Sequence, residues 1–138
     1  RAAFRRAGRR TSALDLPNIF SVTAAEAAYR GGGGWLDGLI PYLRDNYLFL
    51  KDFLGRELPD VRVFPQEGTY VVWLDFRGLG LGDREVESAL TDARVRLNAG
   101  SAFGQGGEGF QRLNIACPRG TLREGLRRIA EAFSGGGK

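Results

Sequence analysis

Apolar residues between positions 35 and 56 recur at intervals of three and four, which is the spacing of one face of an α-helix. The members of this stripe are Leu36, Leu39, Leu43, Tyr47, Leu50 and Leu54. The pattern predicts a long helix of roughly 30 Å, at about 1.5 Å per residue. Pro41 lacks a backbone N–H, so we expect it to kink this helix or to mark the start of its regular part.

A shorter helix is predicted before the stripe. Thr23 and Glu26 have the spacing of a capping box, and residues 24–29 favour helix strongly. The four glycines at positions 31–34 are expected to stop this helix and to form a flexible joint, which makes them the clearest hinge candidate. Residues 1–18 are predicted to be irregular or partly helical.

Beyond Pro59 the apolar positions alternate, which is typical of strands. Strands are predicted over residues 61–64, 69–76, 94–98 and 110–117. Helices are predicted near residues 83–93 and from a second capping box, Thr121 with Glu124, onward. This order predicts an α+β fold of the α/β-sandwich kind, in which helices cover one side of a small, mostly antiparallel sheet and the long helix comes first. A ferredoxin-like fold is the alternative.

Composition excludes several kinds of chemistry. The 138 residues include no histidine and one cysteine, Cys117, so neither Ser-His or Cys-His catalysis nor a metal site is expected. A single cysteine favours a reduced, cytoplasmic setting, and no apolar run approaches the ~20 residues of a membrane span. The sequence begins without methionine and contains none, from which we expect a piece of a longer protein.

The net charge of +4 is concentrated at the start of the chain. Five arginines precede the first acidic residue, Asp15, and leave the remainder with a net charge of −1. They are Arg1, Arg5, Arg6, Arg9 and Arg10. Because the remainder of the chain has no basic excess, no nucleic-acid partner is expected. Nucleic-acid binding through this arm stays a minor alternative.

Arg112 is the main candidate for binding chemistry. Along the last predicted strand, Arg112 and Asn114 alternate with Leu113 and Ile115, so Arg112 and Asn114 point to one face, beside loop ends where ligands often bind. A guanidinium can hold a carboxylate through two parallel hydrogen bonds. On the pattern alone, an ordinary surface arginine is the alternative.

Three other features could carry chemistry. The loop over residues 98–104, with Gly106 and Gly107, could bring its backbone close to a ligand, but it lacks the lysine of a phosphate-binding loop, and a plain connection is the alternative. Cys117 has no obvious base beside it and is predicted to be inert. Lys51 lies off the apolar stripe, so we expect its ammonium to be solvated and exclude it as an imine-forming residue.

Four stretches form a longer pattern. They are residues 24–29 (AAEAAY) with 35–37 (WLD), residues 42–46 (YLRDN), residues 65–70 (PQEGTY) with 73–75 (WLD), and residues 103–104 (FG) with 109–119 (GFQRLNIACPR). In order and spacing they resemble the C-terminal region of cystathionine beta-lyase-type C–S lyases, a branch of the class I/II aminotransferase superfamily. The last motif is the most specific.

The resemblance implies a homodimeric enzyme that acts on an amino acid with pyridoxal 5'-phosphate (PLP), which is held by a lysine of a large N-terminal domain absent from this chain. Arg112 matches the family arginine that holds the substrate α-carboxylate, and no catalytic or cofactor-binding residue is expected in the chain itself. Residues 1–33 would be the end of the large domain and the hinge, residues 34–56 the bridging helix, and residues 57–138 the small domain.

On its own the chain is expected to bind no PLP and to be inactive. C–S lyase activity is preferred over transamination because of the relatives that the motifs resemble. A non-catalytic module with the small-domain fold, which binds a protein partner or a carboxylate ligand, is the alternative. Apolar surface left without its domain partner predicts a homo-oligomer or domain-swapped dimer that pivots near residues 31–34.

Overall fold

A computed structural model describes residues 18–134, so the predictions for the arginine-rich start and for the terminal glycine tail with Lys138 lie outside the described residues. The helices are α1 (Ile19–Gly31), α2 (Gly33–Glu57), α3 (Asp83–Asp92) and α4 (Arg119–Ser134). The strands are β1 (Arg62–Val63), β2 (Val71–Asp75), β3 (Asn98–Ala99) and β4 (Phe110–Asn114). Short 3-10 turns lie at Arg77–Leu79 and Gly100–Phe103.

The chain divides into two compact units between Ile40 and Pro41. None of the described helices has the length and apolar character needed to cross a membrane.

Helix α1 begins earlier than predicted. Asn18 caps it, because its Oδ1 accepts a hydrogen bond from the Ser21 N–H at 2.8 Å. The predicted capping box at Thr23 is wrong: Thr23 lies inside the helix, and its hydroxyl donates to the Ile19 carbonyl at 3.0 Å. Asparagine ranks above threonine as an N-cap, which agrees with the earlier start.

The glycine run interrupts the helices at one residue only. Gly31 ends α1 and Gly33 begins α2. The Gly32 N–H donates to the Ala28 carbonyl at 2.8 Å, and the Leu36 N–H donates to the Gly32 carbonyl at 3.0 Å. We expected all four glycines to lie outside the helices, and this prediction is wrong for three of them: only Gly32 lies between α1 and α2. Glycine disfavours a helix by about 1 kcal/mol without forbidding it.

The four strands form one antiparallel sheet in the order β1-β2-β4-β3, which confirms the predicted fold class. The ferredoxin-like alternative is wrong, because that fold places a helix between its first two strands, whereas β1 and β2 are paired neighbours. Strand β2 begins two residues later than predicted, since Thr69 has a left-handed φ of 65° that breaks the extended backbone.

The core lies between one face of the sheet and the helices α2, α3 and α4. From the sheet it takes Val72, Leu74 and Leu113, and Ile115 joins them directly after β4. From the helices it takes Leu50, Leu54, Val86, Leu90, Leu122, Leu126 and Ile129. Leu43 and Tyr47 pack against it half-buried, so the part of the predicted α2 stripe from position 43 onward is confirmed.

The strand predicted over residues 94–98 is wrong except at its last residue. Arg94 has a left-handed φ of 57° and closes α3 instead. Its N–H donates to the Thr91 carbonyl at 2.9 Å, and the Val95 N–H donates to the Leu90 carbonyl at 2.9 Å. This pair of bonds is a Schellman motif, which normally has glycine at the position that Arg94 occupies.

Helix α4 begins two residues before the capping box predicted at Thr121. The Pro118 carbonyl accepts the Leu122 N–H at 3.1 Å and opens the helix. Glu124 does not cap the backbone but pairs with the side chain of Arg127 at 2.8 Å. The second capping box is therefore wrong, because its two residues lie inside the helix that proline starts.

Candidate functional site

The face of the sheet turned away from the core carries the candidate chemistry. Trp73 of β2 is paired in register with Arg112 of β4, and Asn98 of β3 is paired with Arg112 from the other side. Because directly opposite residues of antiparallel strands share a face, these three side chains lie together. The prediction that Arg112 points away from the buried Leu113 is confirmed.

Two neighbours hold the Arg112 side chain. Its Cζ lies 4.3 Å from the centroid of the Phe103 ring, within cation–π range. Its Nη2 donates to Asn98 Oδ1 at 3.3 Å, a long hydrogen bond. Its Nε is buried and has no hydrogen-bond partner among the described residues. An unsatisfied buried donor of this kind is rare in folded proteins.

The charge of Arg112 is not neutralised by any described carboxylate: within residues 18–134, none lies within 4.0 Å of its guanidinium. Arg77, in contrast, donates to Asp75 through Nε at 2.8 Å and Nη2 at 2.7 Å. These hydrogen bonds hold the pKa of Asp75 below its ordinary value, against the opposing effect of burial. Arg112 can therefore accept an anionic ligand, whereas Arg77 already has its counter-charge.

The loop between β3 and β4 places Phe103 against Arg112 and borders a cavity of about 300 Å³. The cavity is lined by four aromatic side chains and by glycine-rich backbone, namely Phe64, Trp73, Phe103 and Phe110 with Gly100 and residues 104–107. The rings of Trp73 and Phe103 meet edge to face, with centroids 5.3 Å apart. The loop predicted as a candidate thus brings Asn98 and Phe103 to Arg112 and its glycines to the cavity.

Glycine is required where this loop folds back on itself. A Cβ on Gly100 would overlap the Gly107 carbonyl, and a Cβ on Gly107 would overlap the Gly100 carbonyl. Gly109 has a left-handed φ of 79°, and its N–H donates to Asp83 Oδ1 at 2.6 Å at the entrance to β4. The loop therefore has a shape fixed by close backbone contacts, which a plain connection does not need.

The other predicted candidates do not join this site. Asn114 is exposed, and its Oδ1 accepts the Ala116 N–H at 2.7 Å, so it is engaged with its own strand end. Cys117 is a half-buried free thiol whose pKa is raised by burial, which agrees with the prediction of an inert cysteine. Lys51 is exposed on α2, as predicted.

Sequence reasoning missed a buried polar group at the end of β4. Asn46 Nδ2 donates to the Ile115 carbonyl at 2.8 Å and to the Cys117 carbonyl at 3.0 Å. Its Oδ1 accepts the Arg119 Nε at 2.7 Å. The Tyr42 hydroxyl donates to the Cys117 carbonyl at 3.1 Å. These bonds tie the strand that carries the candidate arginine to α2. The sequence did contain one indication that Asn46 is buried, because residue 46 lies on the same face of α2 as the apolar stripe.

Comparison with known proteins places these features in a family. No family model matches the chain. Cystathionine beta-lyase PatB of Bacillus subtilis is 48% identical over 118 residues, which cover 85% of this chain and 30% of the relative. Cystalysin from Treponema denticola, whose structure contains PLP, superposes with a TM-score of 0.83 at 33% identity, over 91% of this chain and 32% of that chain. The PLP-bound C–S lyase from Staphylococcus hominis superposes with a TM-score of 0.78 at 35% identity, over 84% of this chain and 31% of that chain.

The four helices and the antiparallel four-stranded sheet are those of the C-terminal domain of fold type I PLP enzymes, which have the class I/II aminotransferase fold. More closely, the chain matches the C-terminal part of C–S lyases of the cystathionine beta-lyase type, which are PLP-dependent enzymes. It spans about a third of the length of the curated relatives it matches.

The described residues do not fit a PLP site of their own. PLP enzymes bind the cofactor as an imine on a lysine, and the lysine within residues 18–134, Lys51, is exposed on α2 and lines no part of the cavity beside Arg112.

Proposed function

We propose that this chain is the small-domain part of a PLP-dependent C–S lyase and that Arg112 binds the α-carboxylate of the amino-acid substrate. The observation that carries the proposal is the setting of Arg112. Its guanidinium lies on the open face of the sheet, stacked on Phe103 and without a carboxylate partner in residues 18–134. The cofactor of such enzymes supplies the electron sink.

The contribution of Arg112 is the positioning of the substrate. One hydrogen bond of Nη2 goes to Asn98, and the remaining Nη hydrogens are donors for a carboxylate, which they bind in a fixed orientation. With the carboxylate fixed, the Cα–H bond of the amino acid is held in one direction, which lowers the entropic cost of removing the Cα proton. Lyase activity is preferred over transamination because of the lyases among the relatives.

The test of this role uses the full-length enzyme that contains this chain. Arg112→Ala should lower kcat/KM for the amino-acid substrate by about 100-fold, or roughly 3 kcal/mol, as expected for the loss of a charge-assisted bidentate pair. Arg56→Ala is the matched control, because Arg56 is an exposed arginine of α2 paired with Asp52. An Arg112→Ala enzyme with unchanged kcat/KM would contradict the assignment.

The chain alone is proposed to lack activity, with the cofactor lysine in the rest of the enzyme. Titration with PLP, followed by borohydride reduction and intact mass, should give weak labelling that does not saturate. Saturable labelling of Lys51 with one PLP per chain would overturn this and make the chain a PLP protein by itself.

We also infer that the chain self-associates. Large apolar side chains are exposed in the first unit, where Ile19 is 76%, Phe20 82% and Trp35 72% exposed, and a surface of this kind commonly mediates protein contacts. Sedimentation velocity of the 138-residue chain should show a concentration-dependent oligomer, and a monomer at high concentration would contradict the inference. A reduced, cytoplasmic setting is supported by the single cysteine.

A further inference from the structure

We propose that the cavity between α3 and the sheet binds a free amino acid whose side chain ends in an amide, with L-glutamine as the best match. The cavity has a volume of about 250 Å³ and is lined by Gln111 of β4. Gln111 alternates with Arg112 along the strand and faces the core side of the sheet. The site is therefore separate from the open face, and the proposal does not depend on the function proposed for Arg112.

Gln111 is a buried polar residue whose amide has no protein partner. It is 3% exposed, and its amide forms no hydrogen bond with a residue in the range 18–134. Within that range the unpaired side-chain atom that is fully sealed is Arg112 Nε, so the Gln111 amide keeps access to the cavity that it lines. A glutamine amide offers an acceptor oxygen and two N–H donors. A second amide supplies both a donor and an acceptor in return, and a buried amide without partners is unfavourable.

Two opposite charges lie at the outer part of the cavity. Glu87 of α3 and Arg96 both line it, and both are exposed, in contrast to Gln111. Neither takes part in an ion pair within 4.0 Å in the described part of the chain. A carboxylate and a guanidinium that share a cavity without pairing are complementary to a zwitterion, because the ammonium of an amino acid pairs with Glu87 and its carboxylate with Arg96.

The remaining lining is apolar apart from Thr91. The Thr91 hydroxyl donates to the Glu87 carbonyl at 2.8 Å and is engaged within its own helix. The apolar residues are Leu90, Val95, Leu97 and Ala99. A volume of about 250 Å³ lies below the range for drug-sized ligands. It suits an amino acid whose methylene groups contact this apolar wall while its amide bonds to Gln111.

Equilibrium dialysis of the 138-residue chain against radiolabelled L-glutamine measures this binding directly. We expect saturable binding of one L-glutamine per chain. Two competitors test the two ends of the ligand: L-norvaline keeps the zwitterion and the methylene groups without the amide, and butyramide keeps the amide without the zwitterion. Each should bind at least about tenfold more weakly than L-glutamine, since each lacks hydrogen bonds that the site offers.

Variants assign the binding to this cavity. Gln111→Leu, which is close to isosteric, should weaken L-glutamine binding at least about tenfold. Arg96→Gln should weaken it about as much through the loss of a charge-assisted pair. Because Arg96 is exposed, this variant keeps the test decisive if Gln111→Leu does not fold. Arg84→Gln is the matched control, since Arg84 is an exposed arginine of α3 outside the cavity lining, and Arg112→Gln should also leave the affinity unchanged.

The outcomes separate the alternatives. L-glutamine binding that Arg112→Gln abolishes and Arg96→Gln leaves intact would place the ligand on the open face of the sheet and overturn the proposal, while it supports the function proposed for Arg112. Equal affinities for L-norvaline and L-glutamine would overturn the role of the Gln111 amide. Equal affinities for butyramide and L-glutamine would overturn the zwitterion site at Glu87 and Arg96. Absence of saturable binding would mean that the cavity holds water only and would overturn the proposal as a whole.

Discussion

The Cζ atom of Arg112 lies 4.3 Å from the centroid of the Phe103 ring, so the candidate carboxylate-binding residue is held by an aromatic face rather than by an acid. A carboxylate partner would have to be displaced before a substrate could bind. An aromatic ring orients the guanidinium while it leaves the Nη donors to the ligand. This arrangement makes Phe103 a positioning residue for Arg112.

Phe103→Ala should therefore weaken substrate binding in the full-length enzyme. The loss of a cation–π contact of about 1 kcal/mol corresponds to a decrease of about fivefold in kcat/KM, expressed mainly as a higher KM. Phe103→Tyr, which keeps the aromatic face, should restore the KM. A decrease in kcat at unchanged KM, or failure of tyrosine to restore binding, would indicate that Phe103 has only a packing role.

The sequence was sufficient for the part of this site that depends on periodicity. Alternation along β4 placed Arg112 on the open face, and the stripe of α2 identified Leu50 and Leu54 as core. It could not predict that Phe103 stacks on Arg112, because that contact depends on the pairing of β3 with β4 and on a 3-10 turn. Asn46 was missed because a polar residue on a helix is normally assigned to solvent.

The Asp75–Arg77 pair should make stability depend on pH in the acid range. The hydrogen bonds from Arg77 lower the pKa of Asp75 from 3.8, so the contribution of the pair is complete above pH 3.8 and is lost as the pH falls through the folded-state pKa. Asp75→Asn should lower the free energy of unfolding at pH 7 by about 1 kcal/mol, a modest value because 61% of the Arg77 side chain is exposed.

Urea unfolding of both proteins from pH 7 to pH 2 measures this effect. The difference between wild type and Asp75→Asn should shrink steadily below pH 3.8. Arg77→Ala should remove the same interaction, so the double variant should lose less than the sum of the two single losses. A difference that stays constant down to pH 2 would show that the pair does not titrate as described.

Arg94 occupies a backbone conformation that suits glycine. It has a φ of 57° at the end of α3, in a Schellman motif, and its side chain is exposed. Arg94→Gly should raise the free energy of unfolding by about 0.5–1 kcal/mol, because relief of the left-handed strain exceeds the added entropy of the unfolded chain. The matched control is Arg96→Gly, an exposed arginine without a positive φ, which should destabilise the protein in the same assay. Destabilisation by both substitutions would contradict the assigned conformation of Arg94.

Asn46 should be the polar side chain on which the stability of the β4 end depends most. It is fully buried and satisfies the carbonyls of Ile115 and Cys117 together with the guanidinium of Arg119. Asn46→Ala removes the bonds to the Ile115 carbonyl and to the Arg119 Nε and leaves the Cys117 carbonyl with the Tyr42 hydroxyl alone. Each buried polar group left without a partner costs about 1–3 kcal/mol. We expect a loss of about 3 kcal/mol in the free energy of unfolding, measured as a lower urea midpoint at unchanged slope.

Asn114→Ala serves as the control, since Asn114 is exposed and bonds only to the backbone of Ala116. The loss of unfolding free energy in this control should stay below about 1 kcal/mol. Equal effects of the two substitutions would mean that the buried network contributes no more than an exposed turn.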